Sequence, residues 1–488
     1  MQLMPALNEL TVHEAAALLE RGAVSSRDLV EALLDARRAR DPVLRGYLEL
    51  DEADARRQAD EADRLRRAGR RGALLGVPLA VKDIVNVRGQ SCRCASRILE
   101  GYTAPFDATV IARLRAEGAL LVGRTNMDEF AMGSTTEHSA FGPTRNPWDP
   151  ARVPGGSSGG SAAVVAADEA LAALGTDTGG SVRLPAAFCG CVGLKPTYGR
   201  VSRYGVTAFA SSLDQIGPLT RTVEDAALTL NVICGRDEMD ATSADLPVPD
   251  FTGALTGDVR GLRIGLPKEY FTEALSEPMR ERIEQAVDAY RANGAEIVEV
   301  SLPCSEYAIA VYYIICTAEA SANLARFDGV RYGFRHPEAK TMQDMYVMSK
   351  SAAFGPEVRR RIMLGTYVLS SGYYDAYYLK AQKVRALIKK DFDAAFEKCD
   401  VIAGPTSPTA SFEFGAKSDN PLEMYLSDIY TISVNLATLP GISIPCGLTD
   451  AGLPVGMQVI GPRFDEPRIL SLCKVIQQMH PIGWPPEA

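Results

Sequence analysis

The chain has 488 residues, of which 46% are hydrophobic and 23% charged, so it can bury a sizeable core and disorder is not expected. Its formal net charge of −9 argues against holding nucleic acid through its own charge, because phosphate binding calls for a basic face. Residues 1–10 lack the basic and apolar regions of a secretory signal, no run of about 18 apolar residues occurs, and ten scattered cysteines read as reduced thiols, so a cytoplasmic location is expected.

Residues 1–70 read as helices. Thr11 with Glu14, and Ser25 with Asp28, form capping-box patterns ahead of apolar-periodic runs. Residues 51–69 form a charged helix with Ala59, Ala62 and Leu65 on one stripe, and its arginines (Arg64, Arg66, Arg67, and then Arg70 and Arg71) read as a solvated face. Residues 77–81 are a short apolar run suited to a buried strand. The pairs Cys92/Cys94 and Cys189/Cys191 lack zinc-site spacing and read as small buried residues, so no metal is expected. A helix over 109–117, closed by Gly118, leads to a strand over 119–122, and this β-α-β alternation predicts an α/β fold.

Glycine, serine and proline crowd residues 146–221. Apolar segments at 162–167 and 171–174 interrupt them, so the stretch reads as a folded core with close backbone turns. A helix over 277–292, a strand over 296–300 and a long helical stretch over 305–397 follow. Strands return at 401–403, 442–445 and 455–460, and a last helix covers 467–479. The late strands are expected to join the early ones in one sheet. That makes residues 1–488 one domain, with N-terminal helices to about 70, a core over about 71–235, a helical insertion over about 305–397 and C-terminal strands and helix over about 398–488.

Several rival chemistries lack their motifs. G-x4-G-K-[ST], a Rossmann glycine turn and H-E-x-x-H are all absent. Gly155-Gly156-Ser157-Ser158-Gly159 fits the G-x-S-x-G nucleophile elbow, but that elbow must follow a strand, and Asn146-Pro147-Trp148-Asp149-Pro150 with Val153-Pro154 does not form one. Lys82, ending the run 77–81, would on its own reach solvent or a surface carboxylate. In apolar surroundings it would lose its proton more readily and serve as a base. A second serine cluster, Asp177-Thr178-Gly179-Gly180-Ser181, lies 24 residues beyond the first.

The two serine segments, with Gly76-Val77-Pro78-Leu79-Ala80-Val81-Lys82-Asp83 upstream as the third, resemble the amidase signature family in the right order. Within it the chain is similar to the glutaminase (A) subunits of glutamyl-tRNA(Gln)/aspartyl-tRNA(Asn) amidotransferases. That likeness runs through Asn126-Met127-Asp128-Glu129-Phe130-Ala131-Met132-Gly133, Phe141–Trp148, Lys195–Arg203 and Ser371–Tyr378, and so covers nearly the whole chain. The resemblance implies an amidase-signature fold, a large mixed β-sheet covered by helices on both faces.

The resemblance also implies Ser181 as the acylated nucleophile, Ser157 as a bridging serine held with a cis backbone, and Lys82 as the terminal base. Chemistry agrees, because a hydroxyl is a poor nucleophile until a base takes its proton. The N–H groups around Thr178, Gly179 and Gly180 would converge on a developing oxyanion. For glutamine, Arg361 would hold the α-carboxylate, Asp428 the α-amino group, and Tyr312 would add a hydroxyl, with Arg359, Arg360 and Tyr313 as alternatives in the same runs. No cofactor is implied on this chain. ATP and Mg²⁺ belong with a tRNA-binding, kinase-like partner, which also makes most of the tRNA contacts. A third, small subunit supports the pair, and no membrane is involved. The same triad without partners would make a stand-alone amidase for small or aryl amides. Leu184 stands where the resemblance leads one to expect glutamine, which bears on the pocket wall beside Ser181.

Overall fold

The computed structural model describes residues 5–417, 420–483 and 485. Residues 1–4 of the expected N-terminal helical segment therefore lie outside the described residues. Among the described residues, eleven strands form a single sheet: β1 Tyr47–Glu49, β2 Pro78–Lys82, β3 Leu120–Thr125, β4 Ala172–Asp177, β5 Val192–Lys195, β6 Gln215–Thr220, β7 Arg263–Pro267, β8 Glu296–Val300, β9 Val401–Pro405, β10 Gly441–Leu448 and β11 Pro454–Ile460. Their order is β1-β3-β2-β4-β6-β5-β10-β11-β9-β7-β8. The early and late strands meet at one antiparallel seam, β5 against β10, with Lys195 opposite Gly441 and Gly193 opposite Ser443.

Both faces of the sheet are covered, and the strand alternation shows it. Leu79, Val81, Ala172 and Leu174 enter one apolar cluster together with Val110, Ile111, Leu230 and Ile469 from flanking helices. Ala80 and Ala173, one residue out of phase, enter another with Ala162, Val165, Val182 and Ala186. The second cluster is built from small side chains because the helix Gly159–Ala166 lies hard against its neighbours: a Cβ on Gly160 would come 2.4 Å from the Asn126 carbonyl oxygen.

Both N-terminal capping boxes form, at Thr11/Glu14 and Ser25/Asp28. The charged helix spans Glu52–Arg67, and the strand expected at 119–122 runs on to Thr125. The helical stretch expected over 305–397 is not continuous. It consists of helices Ala308–Leu324, Met342–Ala353, Pro356–Val368 and Lys380–Phe396, with turns at 325–341 and a π-helical turn Tyr374–Leu379. Glycine, proline and charged residues at 328–340 explain the first break. Among the described residues no helix is long and apolar enough to cross a membrane.

What the sheet does for function follows from its parallel part. β2 is parallel to β4, with Val81 opposite Leu174, so Lys82 and the turn after Asp177 emerge together at the carboxyl ends of neighbouring strands. Open parallel sheets place ligand sites at that end.

Candidate active site

Lys82 closes β2 and is 0% exposed. Its Nζ donates to Ser157 Oγ at 2.9 Å, Ser158 Oγ at 2.8 Å and Thr176 Oγ1 at 3.0 Å. Burial lowers its pKa to about 7, against the opposing pull of Asp128, Asp177 and Asp214. A lysine in this state is half neutral near physiological pH and able to accept a proton.

Ser157 and Ser158 precede the helix Gly159–Ala166, and no strand leads into them. The Gly156–Ser157 peptide is cis. Glycine is required at 156 because a Cβ there would fall 2.1 Å from Asp128 Oδ2 and 2.6 Å from the Thr135 amide nitrogen. Asp128 is itself fixed, accepting from the N–H groups of Thr136 at 2.9 Å and His138 at 3.1 Å.

Ser181 lies beside this pair. Its carbonyl accepts from the Ser158 N–H at 3.1 Å, and the residue is 7% exposed. Among the described residues its hydroxyl makes no hydrogen bond, so Ser157 and Ser181 are neighbours without a direct hydroxyl contact. The N–H groups of Gly179, Gly180 and Ser181 likewise donate to nothing among the described residues, which leaves them free for an anionic oxygen. The turn that presents them is rigid. Thr178 Oγ1 donates to Asp214 Oδ1 at 2.7 Å, Thr431 Oγ1 donates to the Gly179 carbonyl at 2.7 Å, and Gly180 has φ +147°.

Beneath the turn, Arg183 and Asp177 form a fully buried ion pair through Nε–Oδ2 at 3.0 Å and Nη2–Oδ1 at 2.9 Å, and Arg183 also donates to Gln458 and Asn435. Burial alone would raise the Asp177 carboxyl, but the Arg183 charge and hydrogen bonds outweigh it and hold the group at about 2. Removing one partner strands the other in the core. Arg183→Ala is therefore expected to lower the unfolding free energy by about 3–5 kcal/mol, as read from denaturant melts; a loss below about 1 kcal/mol would show that the pair does not anchor the turn.

The residues named for glutamine are brought together on the outer side of this turn. A Cβ on Gly179 would come 2.8 Å from Tyr312 Oη, and one on Gly180 would come 2.6 Å from Asp428 Oδ1. Asp428 is buried, with Oδ2 taken by the Ser134 hydroxyl and Oδ1 without a partner among the described residues. Burial raises its pKa to about 7, with Ser134 and the charges of Arg183 and Arg361 pulling the other way. Of the three consecutive arginines only Arg361 faces inward, 2% exposed. Its guanidinium sits 5.1 Å from the Tyr313 ring and 5.4 Å from that of Tyr425, and its Nε donates to Glu357 Oε1 at 2.8 Å. Among the described residues Nη1 and Nη2 carry no hydrogen bond. Arg360 pairs with Glu357 from the outside, and Arg359 is exposed. Tyr313 stacks on Tyr425 at 3.8 Å, so Tyr312 is the tyrosine that faces the turn.

Sequence reasoning missed Ser158, Thr176, Asp214 and Glu357. Glu357 stands four residues before Arg361 on one helix, a spacing that signals a side-chain pair. Leu184 packs with Val153, Ala187 and Phe188 in a separate apolar cluster, so the departure from glutamine serves packing behind the turn.

Comparison with known proteins gives a consistent result. The Amidase family profile matches residues 28–470. A curated relative from Roseiflexus castenholzii, the A subunit of its glutamyl-tRNA(Gln) amidotransferase, is 56% identical over 476 residues, covering 98% of this chain and 97% of that one. Its namesake from Thermoanaerobacter pseudethanolicus is 53% identical over 482 residues, covering 99% of each. Among solved structures, the A subunit of the glutamyl-tRNA(Gln) amidotransferase of Thermotoga maritima superimposes with a TM-score of 0.83 at 41% identity, covering 100% of both chains. The peptide amidase of Stenotrophomonas maltophilia gives 0.84 at 32% identity, covering 98% of both.

Proposed function

The chain belongs to the amidase family, and on that premise we propose that it is the glutamine-hydrolysing subunit of a tRNA-dependent amidotransferase. Ser181 attacks the side-chain amide carbon of glutamine. Its proton passes through Ser157 to neutral Lys82, and the oxyanion is held by N–H groups of the turn Thr178–Ser181, those of Gly179, Gly180 and Ser181 among them. Collapse of the tetrahedral intermediate breaks the C–N bond, the leaving nitrogen takes the proton back along the relay, and ammonia departs. Water then attacks the glutamyl ester by the same route, releasing glutamate and Ser181.

The ammonia supplies a partner subunit that converts misacylated Glu-tRNA(Gln) or Asp-tRNA(Asn) to its amide. ATP, Mg²⁺ and most tRNA contacts belong to that partner. A third, small subunit supports the pair, and the complex works in the cytoplasm.

The observation that carries the choice of glutamine is the buried, unpartnered Oδ1 of Asp428 against the Gly180 turn, with the free end of Arg361 acting on the same carboxyl. A simple amide has nothing to offer either group. Asp428→Asn is expected to raise the KM for glutamine by about a hundredfold while hydrolysis of butyramide changes by less than about twofold. Because the Asp428 carboxyl is raised to about 7, affinity for glutamine should climb as the pH passes upward through 7 and the carboxylate form appears. The wider assignment is tested by ammonia release from glutamine with and without partner subunits, ATP and misacylated tRNA. Poor turnover of glutamine in both settings, beside rapid hydrolysis of simple amides, would make the protein a stand-alone amidase.

A further inference from the structure

We propose that Glu129 is a positioning residue that sets the helix bearing Arg361 against the nucleophile turn, and so governs recognition of the substrate α-carboxylate without touching the substrate. The inference rests on the reading of Arg361 as the carboxylate-binding residue.

Glu129 opens the short 3-10 turn Glu129–Ala131. On one side this turn is fastened to the catalytic serines: the N–H of Asp128 donates to the Ser157 carbonyl at 3.2 Å. On the other side it faces the helical insertion, with the Phe130 ring 5.0 Å from Phe327 and 5.7 Å from Phe354. Phe130 and Ala131 both have left-handed backbone, φ +50° and +62°, which side chains adopt only when their surroundings dictate it.

The carboxylate completes the link. One oxygen accepts from the Ser96 hydroxyl, and the other accepts from the Gly355 N–H at 2.8 Å. Gly355 is the N-cap of the helix Pro356–Val368, whose first residue, a proline, has no N–H to offer. A carboxylate there complements the positive end of the helix. The carboxylate lies directly against this glycine: a Cβ at 355 would fall 2.4 Å from Glu129 Oε2. Glu357 and Arg361 both ride on the first half of this helix. Burial pushes the Glu129 carboxyl up to about 7, and Ser96, the Gly355 N–H and Arg359 oppose that rise. One buried acid thus joins the segment behind Ser157 to the helix that holds Arg361.

The test is Glu129→Gln in the full chain, with kcat and KM measured for glutamine and for butyramide, which lacks both α-substituents. The expected result is a KM for glutamine raised about tenfold, a kcat within about threefold of the parent, and unchanged kcat/KM for butyramide. Ser96→Ala, which removes the other partner of the carboxylate, should show the same pattern more weakly and decides the matter if Glu129→Gln does not fold. Equal losses on both substrates, or an unmoved KM for glutamine, would overturn the proposal. Arg361→Ala runs alongside. If it leaves the KM for glutamine unmoved, the carboxylate reading fails and the proposal with it; if it raises KM while Glu129→Gln does not, only the role of Glu129 fails.

Discussion

Ser181→Ala is expected to remove ammonia release from glutamine, with kcat falling by about four to six orders of magnitude. No neighbouring hydroxyl can substitute for it. Ser157 and Ser158 are both engaged by Lys82, whereas the Ser181 hydroxyl makes no hydrogen bond among the described residues and lies beside the open N–H groups of the turn. Those N–H groups survive the substitution, so a residue of catalysis above the rate in water should persist. Binding should survive as well, because Tyr312, Arg361 and Asp428 are untouched. Calorimetric titration of the variant with glutamine should give an affinity within about threefold of the parent. Retention of more than about 1% of kcat would mean that another group is acylated.

Lys82→Met comes next in size, with a loss of about three to four orders of magnitude in kcat/KM. The parent should carry the signature of this base in its pH profile. With Lys82 lowered to about 7, kcat/KM for butyramide should rise about tenfold per pH unit below 7 and level off above it. Glutamine should show a steeper rise, because Asp428 titrates in the same range and only glutamine needs it charged. A profile for butyramide still rising at pH 9 would exclude Lys82 as the base.

The same lysine works against stability. Unfolded, it binds its proton up to the usual lysine value near 10.5; folded, it releases it at about 7. Between those limits the unfolded chain binds more protons, so stability is lost as the pH falls from 10.5 to 7 and changes no further below that. Lys82→Met should therefore melt higher than the parent at pH 7, by an amount equivalent to about 1–3 kcal/mol. A site that becomes more stable when its base is removed is one shaped for chemistry.

Glycine and serine make the cluster of Lys82, Ser157 and the Ser181 turn legible from the sequence as a candidate site. The residues that must approach closely, such as Gly156 and Gly180, have no substitute, and so they stand out as a pattern. The recognition half is harder to read. Arg359, Arg360 and Arg361 are identical in kind and follow one another at about 100° around one helix, so only the packing of that helix on Tyr313 and Tyr425 decides which points inward. Other elements are hidden by their own composition. β6 carries Gly217 and Pro218 in the middle of the sheet, residues that normally argue against a central strand. Gly217 is needed there because β6 runs so close to β5 that a Cβ on it would lie 1.9 Å from the Leu194 carbonyl oxygen. Leu184 misleads in the opposite sense, since a residue close to Ser181 in sequence joins an apolar cluster with Val153, Ala187 and Phe188.

The seam between β5 and β10 also sets an order of events during synthesis. Lys82, Ser157, Ser181 and β5 are all made in the first half of the chain, while β10 lies roughly 250 residues downstream. At about 5–20 residues per second, the open side of β5 waits on the order of 10–50 s for its neighbour to leave the ribosome. Through that interval the nascent chain carries a complete set of reactive side chains on a sheet with a bare, sticky edge, the kind of surface on which unfinished chains aggregate. Shielding by chaperones is most needed in that window, because the edge of β5 stays uncovered until β10 has been made.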